Sequence, residues 1–205
     1  ANLSLVMDDT DKVRALYDDA LANGLAILPP DVNASNYRFE PIDAARIRYG
    51  LGGIKGTGAQ AIEAIVAARA ADGPFKDLFD FCRRVDKRHV NRRAVEALIR
   101  AGAFDAVDPR RSMLFASVGI ALSEAEKAER SAAQVSLFGD SREETGHALV
   151  AAREWTETER LAHEKSALGF YLSGHLYTAF AGELSSLIRQ PLSGLQPNRE
   201  PVLIA

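Results

Sequence analysis

A cluster of glycines constrains the fold of this chain more than any other feature of its sequence. Five of the nine residues 50–58, GLGGIKGTG, are glycine. The preceding segment 46–49 has the composition of a short strand, and the alanine-rich run 59–71 has the periodicity of a helix. Glycines in such a turn let the backbone bend tightly and leave successive N–H groups uncovered. The cluster therefore predicts a turn that holds an anion.

The cluster shares features with two nucleotide-binding motifs. A phosphate-binding loop of the Walker A type needs Gly-Lys-Ser/Thr in that order, whereas here Lys55 precedes Gly56, so this motif is excluded. The stretch 56–61, GTGAQA, does fit the dinucleotide pattern G-x-G-x-x-A. That pattern needs a strand after the helix, but Gly73-Pro74 and further helical sequence follow, which disfavours it.

The third interpretation is a helical hairpin whose turn binds a phosphate backbone. Its turn residues resemble the helix-hairpin-helix motif and are Gly53, Ile54, Lys55, Gly56, Thr57 and Gly58. Ile54 is expected to be buried beneath the turn, Lys55 adds a full charge, and a helix beginning at Gly58 points its positive dipole end at the same place. Such a device recognises phosphates, so it binds duplex DNA regardless of base sequence. The alternative is a glycine-rich turn needed only for backbone geometry.

A basic segment surrounds the glycine cluster. Residues 46–111 hold 14 Lys/Arg against 8 Asp/Glu, whereas the rest of the chain holds 11 basic and 20 acidic residues, for a net charge of −3. Segregated basic charge is typical of a nucleic-acid contact, although a solvated basic surface is an equal alternative. Residues 86–93 add a degenerate second hairpin without glycine, with candidate DNA contacts at Lys87, Arg88, His89, Asn91, Arg92 and Arg93. Its alternative is a charged loop in solvent.

Helical periodicity dominates the rest of the sequence. It predicts helices over residues 9–23, 59–71, 75–85, 91–101, 110–133, 157–168 and 178–188. Short strands are expected at residues 37–39 and 47–49, and these two are expected to pair as a hairpin. The predicted fold is mainly α: a tandem helix-hairpin-helix domain with flanking helices and one or two short β-strands. Asp8, Asp9 and Asp11 are adjacent carboxylates, but their place at a helix start favours capping over metal binding.

Composition limits where the protein works. Cys82 is the single cysteine, so no internal disulfide forms, and the four histidines make no zinc-ligand spacing with it. No apolar run reaches the roughly 20 residues of a membrane span, and the N-terminus does not resemble a secretory signal. These features favour the reducing cytoplasm and predict no membrane contact.

A short apolar peptide stands in the polar stretch that follows the long predicted helix. It consists of Gln134, Val135, Ser136, Leu137 and Phe138. An exposed Leu-Phe pair is unfavourable unless an apolar pocket covers it, and an extended peptide presents both side chains to such a pocket. The pattern resembles the sliding-clamp-binding peptide of bacterial replication proteins, Gln-x-x-Leu-Phe. The alternative is a Leu-Phe pair packed on the chain's own helices.

Several stretches together resemble the C-family replicative DNA polymerases of bacteria, the alpha subunits of DNA polymerase III. In chain order they are MDDTDKV (7–13), ILPPDVN (27–33), IRYGLG (47–52), NRR (91–93), LIRAGAFD (98–105), QVSLF (134–138) and LGFYLSGH (168–175). One departure is Leu176-Tyr177, where the family usually has a proline after the histidine.

The resemblance implies an arrangement and a set of partners. It places the end of the fingers at 1–45, the tandem helix-hairpin-helix at 46–108, a connecting helix at 109–131, a linker with the clamp peptide at 132–154, a helical segment at 155–196, and the start of an oligonucleotide-binding barrel at 197–205. It implies double-stranded DNA, the sliding clamp and other replicase subunits as partners. The catalytic aspartates and their Mg²⁺ would lie in a palm domain outside this sequence, so no catalytic residue, metal site or cofactor is expected here. The alternatives are an error-prone paralogue of the same family and a helix-hairpin-helix repair enzyme such as a glycosylase.

Overall fold

A computed structural model describes residues 2–135 and 148–174, except that the side chains of residues 132–135 are not described. These residues are mainly helical, as predicted. The helices are α1 (Asn2–Leu5), α2 (Thr10–Ala22), α3 (Ala59–Asp72), α4 (Leu78–Arg84), α5 (Arg92–Arg100), α6 (Arg111–Val135) and α7 (Glu157–Leu168). The strands are β1 (Ala26–Leu28), β2 (Glu40–Pro41) and β3 (Arg46–Arg48), and a 3₁₀ turn spans Leu51–Gly53. No helix in the described ranges has both the length and the apolar character of a membrane span.

The small sheet has the order β1-β3-β2. β3 runs parallel to β1, with Ile27 opposite Ile47, and antiparallel to β2, with Pro41 opposite Ile47. The prediction of a strand at residues 37–39 is wrong, because the strand that pairs with β3 begins at Glu40. The carbonyl oxygen of Tyr37 instead accepts the amide of Gly52 at 2.9 Å, so this segment bonds to the turn after β3.

Local capping sets where the helices begin. The amide of Lys12 donates to the Asp9 carboxylate at 3.2 Å at the start of α2, which confirms the capping role for Asp9 among the three aspartates. Thr156 and Glu159 form a reciprocal capping box at the start of α7. Helix α3 is different, because it begins at Gly58 without any side-chain cap.

An apolar core lies beneath the glycine-rich turn. Helix α6 packs across α4 and α5, and α5 packs against α7. Phe81 and Phe104 are fully buried, with ring centroids 5.0 Å apart in an edge-on arrangement. Ile62 and Ile65 hold α3 on this core, and each fully buried side chain of this size contributes roughly 1.5–3 kcal/mol. The turn therefore rests on a rigid base.

The connecting helix is longer than the periodicity predicts. Helix α6 continues to Val135, two residues beyond the predicted end, so Gln134 and Val135 lie in its last turn. The helix predicted at 178–188 and the start of the barrel expected at 197–205 lie outside the described residues.

Candidate nucleic-acid interface

The predicted hairpin is a tight turn fixed by its own side chains. Ile54 is only 2% exposed and lies beneath the turn, as predicted. The Thr57 hydroxyl lies 2.7 Å from the carbonyl oxygen of Ile54 and 3.0 Å from that of Leu51. Gly56 has a φ of +88°, a left-handed conformation that a side chain would strain. The turn conformation is therefore fixed without any ligand.

The glycines of the cluster serve two purposes. A Cβ at Gly52 would lie 2.7 Å from the Tyr37 carbonyl oxygen, and one at Gly53 would lie 3.0 Å from the Tyr49 ring. These two glycines permit close packing of the chain on itself, as the backbone-geometry alternative expects. A Cβ at Gly58 would meet nothing within 4 Å. The space in front of Gly58 is therefore open to a ligand.

Four backbone amides at this open end have no acceptor among the described residues. They belong to Gly56, Gly58, Ala59 and Gln60. The first amides of a helix lack intrahelical partners and carry its positive dipole end. The amide of Lys55, by contrast, donates to the Ala167 carbonyl oxygen at 2.7 Å. An anion at the turn would therefore meet these four amides and, of Lys55, only the side chain.

Most cations of the basic segment have hydrogen-bond or ion-pair partners within the chain. Arg84 donates to the carbonyl oxygens of Gly73 (2.6 Å) and Ala68 (2.9 Å), and Arg69 donates to that of Val32 at 3.0 Å. These arginines bind the loop before β2 and the end of α3, a structural role that sequence reasoning missed. Four cations of the segment have neither an ion pair nor a side-chain hydrogen bond within the described ranges. They are Arg48, Lys55, Lys76 and Arg93. Lys55 is exposed beside the open amides.

The second hairpin differs from the first in its electrostatics. Lys87 pairs with Glu129 of α6 at 2.9 Å, Arg88 with Asp86 at 2.6 Å, and Arg92 with Glu96 at 2.7 Å. Hydrogen bonds from Arg88 hold the pKa of Asp86 at about 2, so this carboxylate stays charged at neutral pH.

The start of α5, unlike that of α3, carries a side-chain cap. Asn91 accepts the amide of Ala94 at 3.0 Å, so its side chain occupies one of the donors at the helix N-terminus. His89 is exposed, and Arg93 is exposed and unpaired among the described residues. Of the six residues predicted to bind DNA here, these two are therefore the ones whose side chains have no competing partner in the described structure.

A buried ionic network lies behind the first hairpin. Glu164 of α7 is fully buried and accepts from Arg111 at 2.8 Å, and Arg111 binds Asp105 through two further hydrogen bonds of 2.7 and 2.6 Å. Burial raises the pKa of Glu164, but hydrogen bonds from Ser173 and Arg111 outweigh it and leave the pKa below its usual value. One feature of the sequence could have revealed this network: a glutamate stands between Leu161 and Leu168 on the apolar side of a predicted helix.

The peptide predicted to bind the clamp lies at the edge of the described residues. Gln134 and Val135 belong to the last turn of α6, whereas Ser136, Leu137 and Phe138 lie outside the described residues. The chain is described again from residue 148, and the Val150 amide donates to the Ser117 hydroxyl of α6 at 2.8 Å.

Two comparisons with known proteins place this geometry in a class. Residues 24–114 match a family model described as the helix-hairpin-helix motif, which confirms the predicted fold class. The region is thus a helix-hairpin-helix domain of the kind built around a glycine turn and a helix N-terminus.

The relatives narrow the class to one family. The chain is 47% identical over 199 residues to DNA polymerase III subunit alpha of Neisseria meningitidis serogroup A, covering 96% of this chain and 17% of that protein. The corresponding proteins of Vibrio cholerae and Pseudomonas aeruginosa are 42% and 40% identical, over 94% and 100% of this chain and 17% and 19% of theirs. The resemblance found in the sequence is confirmed: nearly the whole chain corresponds to one segment of the DNA polymerase III alpha subunits.

Proposed function

We propose that this chain holds duplex DNA by its phosphate backbone, without regard to base sequence, and tethers a replicative polymerase to its sliding clamp. The observation that carries the DNA-binding part is the open end of the first hairpin. Four amides without acceptors, an uncapped helix start at Gly58 and the exposed cation of Lys55 converge there. Each element favours an anion, and backbone amides with a lysine ammonium suit a phosphate rather than any base edge.

The two hairpins are expected to contribute unequally. The first presents backbone amides that no internal group occupies, whereas the second presents cations that already have carboxylate partners. A phosphate must compete with Glu129 for Lys87 and with Asp86 for Arg88. We therefore assign the stronger contact to the first hairpin, with Arg93 and His89 as the principal contributions of the second.

The clamp-binding part rests on the peptide Gln134, Val135, Ser136, Leu137 and Phe138 and on the family to which the chain corresponds. A tether raises the effective concentration of the polymerase at the primer end, so modest affinity for the clamp suffices for long residence on DNA. This role needs no catalytic group and no cofactor in the chain. Among the described residues, no cluster of three side chains suited to bind a metal is present. The expected setting is the cytoplasm, in contact with the other replicase subunits.

A salt titration tests the DNA-binding part. Fluorescence anisotropy with a labelled 25-base-pair duplex, a scrambled duplex and a single strand should show preference for duplex and indifference to sequence. Lys55→Glu should weaken duplex binding and reduce the slope of log K against log salt by about one. Absence of duplex binding by the parent chain at low salt would reject the DNA-binding role.

A pulldown with the purified clamp tests the tethering part. Replacing Leu137 and Phe138 with alanine should abolish capture by the clamp and leave duplex affinity unchanged. Equal capture of the variant and the parent would show that the peptide does not bind the clamp. No capture of either would favour the error-prone paralogue, and cleavage of a damaged duplex by the parent would favour the repair enzyme.

A further inference from the structure

Helix α7 ends directly against the hairpin to which DNA binding is assigned. The Lys55 amide donates to the carbonyl oxygen of Ala167, in the last turn of α7, at 2.7 Å. The last carbonyls of a helix have no intrahelical donor, so the turn and the helix end satisfy each other's backbone groups. The Lys55 amide is therefore fixed by α7, whereas the four open amides follow it along the chain.

Hydrogen bonds of the Glu164 carboxylate fix the end of α7. One carboxylate oxygen accepts from Arg111 at 2.8 Å, and the other accepts the amides of Leu172 and Ser173 at 3.0 and 2.9 Å. Because Asp105 holds the other side of Arg111, the network ties α7 to the turn that follows α5. Removing one partner of a buried ion pair is strongly destabilising for the contact it holds.

A second line of contacts runs from the end of α7 to the hairpin. Phe170 is buried, and its ring centroid lies 6.3 Å from that of Tyr49. The Tyr49 hydroxyl donates in turn to the carbonyl oxygen of Gly53, at 3.3 Å. At Gly169, which has a φ of +91°, a Cβ would lie 2.6 Å from the Thr10 side chain. The end of α7 thus packs between the hairpin and the start of α2.

We infer that Glu164 is a positioning residue for the phosphate-binding turn, and that duplex binding and the docking of α7 are thermodynamically linked. This inference rests on the proposed function of the hairpin. Glu164 does not contact DNA. Its bonds with Arg111, Leu172 and Ser173 fix the end of α7. There the Ala167 carbonyl holds the Lys55 amide and therefore the orientation of the amides that follow. Linkage of this kind is reciprocal, so duplex DNA stabilises the docked helix by the same factor by which docking strengthens duplex binding.

A pair of glutamate variants separates positioning from charge. Glu164→Gln and Glu157→Gln remove the same charge from the same helix, but Glu157 is exposed and has no ion pair among the described residues. Loss of a negative charge by itself strengthens binding to a polyanion. We expect Glu157→Gln to bind duplex as well as the parent or slightly better. Glu164→Gln should bind about tenfold more weakly, the size expected when a hydrogen-bonded charge loses its partner. Unchanged duplex affinity of Glu164→Gln would overturn the inference.

A double-mutant cycle tests whether Glu164 acts through the hairpin. In a Lys55→Glu background, Glu164→Gln should cost much less than in the parent, because the new carboxylate already repels the phosphate from the amides that Glu164 orients. Additive losses would show an independent structural effect and overturn the inference. Weakening by Lys55→Glu with no effect of Glu164→Gln would leave the proposed function standing, whereas a parent chain that binds no duplex would remove the proposed function itself.

The docking of α7 has its own spectroscopic signal. Trp155 is the only tryptophan of the chain, and its ring lies 4.0 Å from that of His163 on α7 and 5.7 Å from Phe115 on α6, centroid to centroid. Glu164→Gln should shift its emission toward that of an exposed indole, and saturating duplex should reverse the shift.

Hydrogen exchange on the parent chain tests the linkage without a mutation. Duplex should slow exchange along α7 as well as at Gly56 and Gly58. Slowed exchange confined to the hairpin, with α7 unchanged at saturating duplex, would refute the linkage.

Discussion

Substituting aspartate for Gly58 should change stability and DNA binding in opposite directions. Gly58 is the N-cap of α3, with φ −79° and ψ 158°, a backbone conformation that any residue adopts. A Cβ there has no atom within 4 Å, so the new side chain fits without displacement. Aspartate is a good N-cap residue because its carboxylate accepts amides of the first turn and complements the helix dipole. We expect the variant chain to be more stable by about 0.3–1 kcal/mol.

The same carboxylate would occupy the place assigned to the DNA phosphate. It would cover at least one of the open amides of α3 and repel a second anion. A lost hydrogen bond to a charged group costs about 1.5–3 kcal/mol, which corresponds to a loss of about 10- to 150-fold in duplex affinity. Anisotropy with a labelled duplex at 100 mM salt measures the affinity, and thermal denaturation followed by circular dichroism measures the stability.

Two control variants complete this experiment. Ala71→Asp adds the same charge to α3 at an exposed position. It lies about 20 Å from Gly58 along the helix, at 1.5 Å per residue, which is beyond the screening length of about 10 Å at this salt. Gly58→Ser caps the helix without a charge and should give an intermediate affinity. A Gly58→Asp chain that is more stable and binds duplex as tightly as the parent would refute the assignment of DNA phosphates to the open amides.

Three further predictions follow from individual contacts. Glu129→Gln should release Lys87 and raise duplex affinity about twofold, the small effect expected for an exposed ion pair; unchanged affinity would show that Lys87 does not reach DNA. Thr156→Ala should lower the free energy of unfolding by about 1 kcal/mol through loss of the capping box with Glu159, measured by urea denaturation. Cys82 is buried, and burial raises the pKa of its thiol to about 12; it should therefore resist a thiol reagent at pH 8 until the chain unfolds, and rapid labelling of the native chain would contradict its burial.

The local features of this fold were predictable from the sequence because each depends on a few neighbouring residues. Helix α7 was predicted at its observed bounds, and the capping role of Asp9 followed from its place before an amphipathic run. The glycine turn with Ile54 beneath it was predictable for the same reason, since apolar periodicity and glycine content report on the backbone within a turn or two.

The partners of the charged residues depended on the tertiary structure. Lys87 and Glu129 are 42 residues apart in sequence, and Arg111 and Glu164 are 53 apart, so no local pattern reveals either pair. The sequence therefore showed a basic segment, whereas the packing of α6 and α7 determined which of its cations remain unpaired. It also determined that Tyr37 bonds to a turn rather than to a strand. Charge and periodicity are properties of composition along the chain, but the neutralisation of one charge by another depends on which surfaces the core brings together.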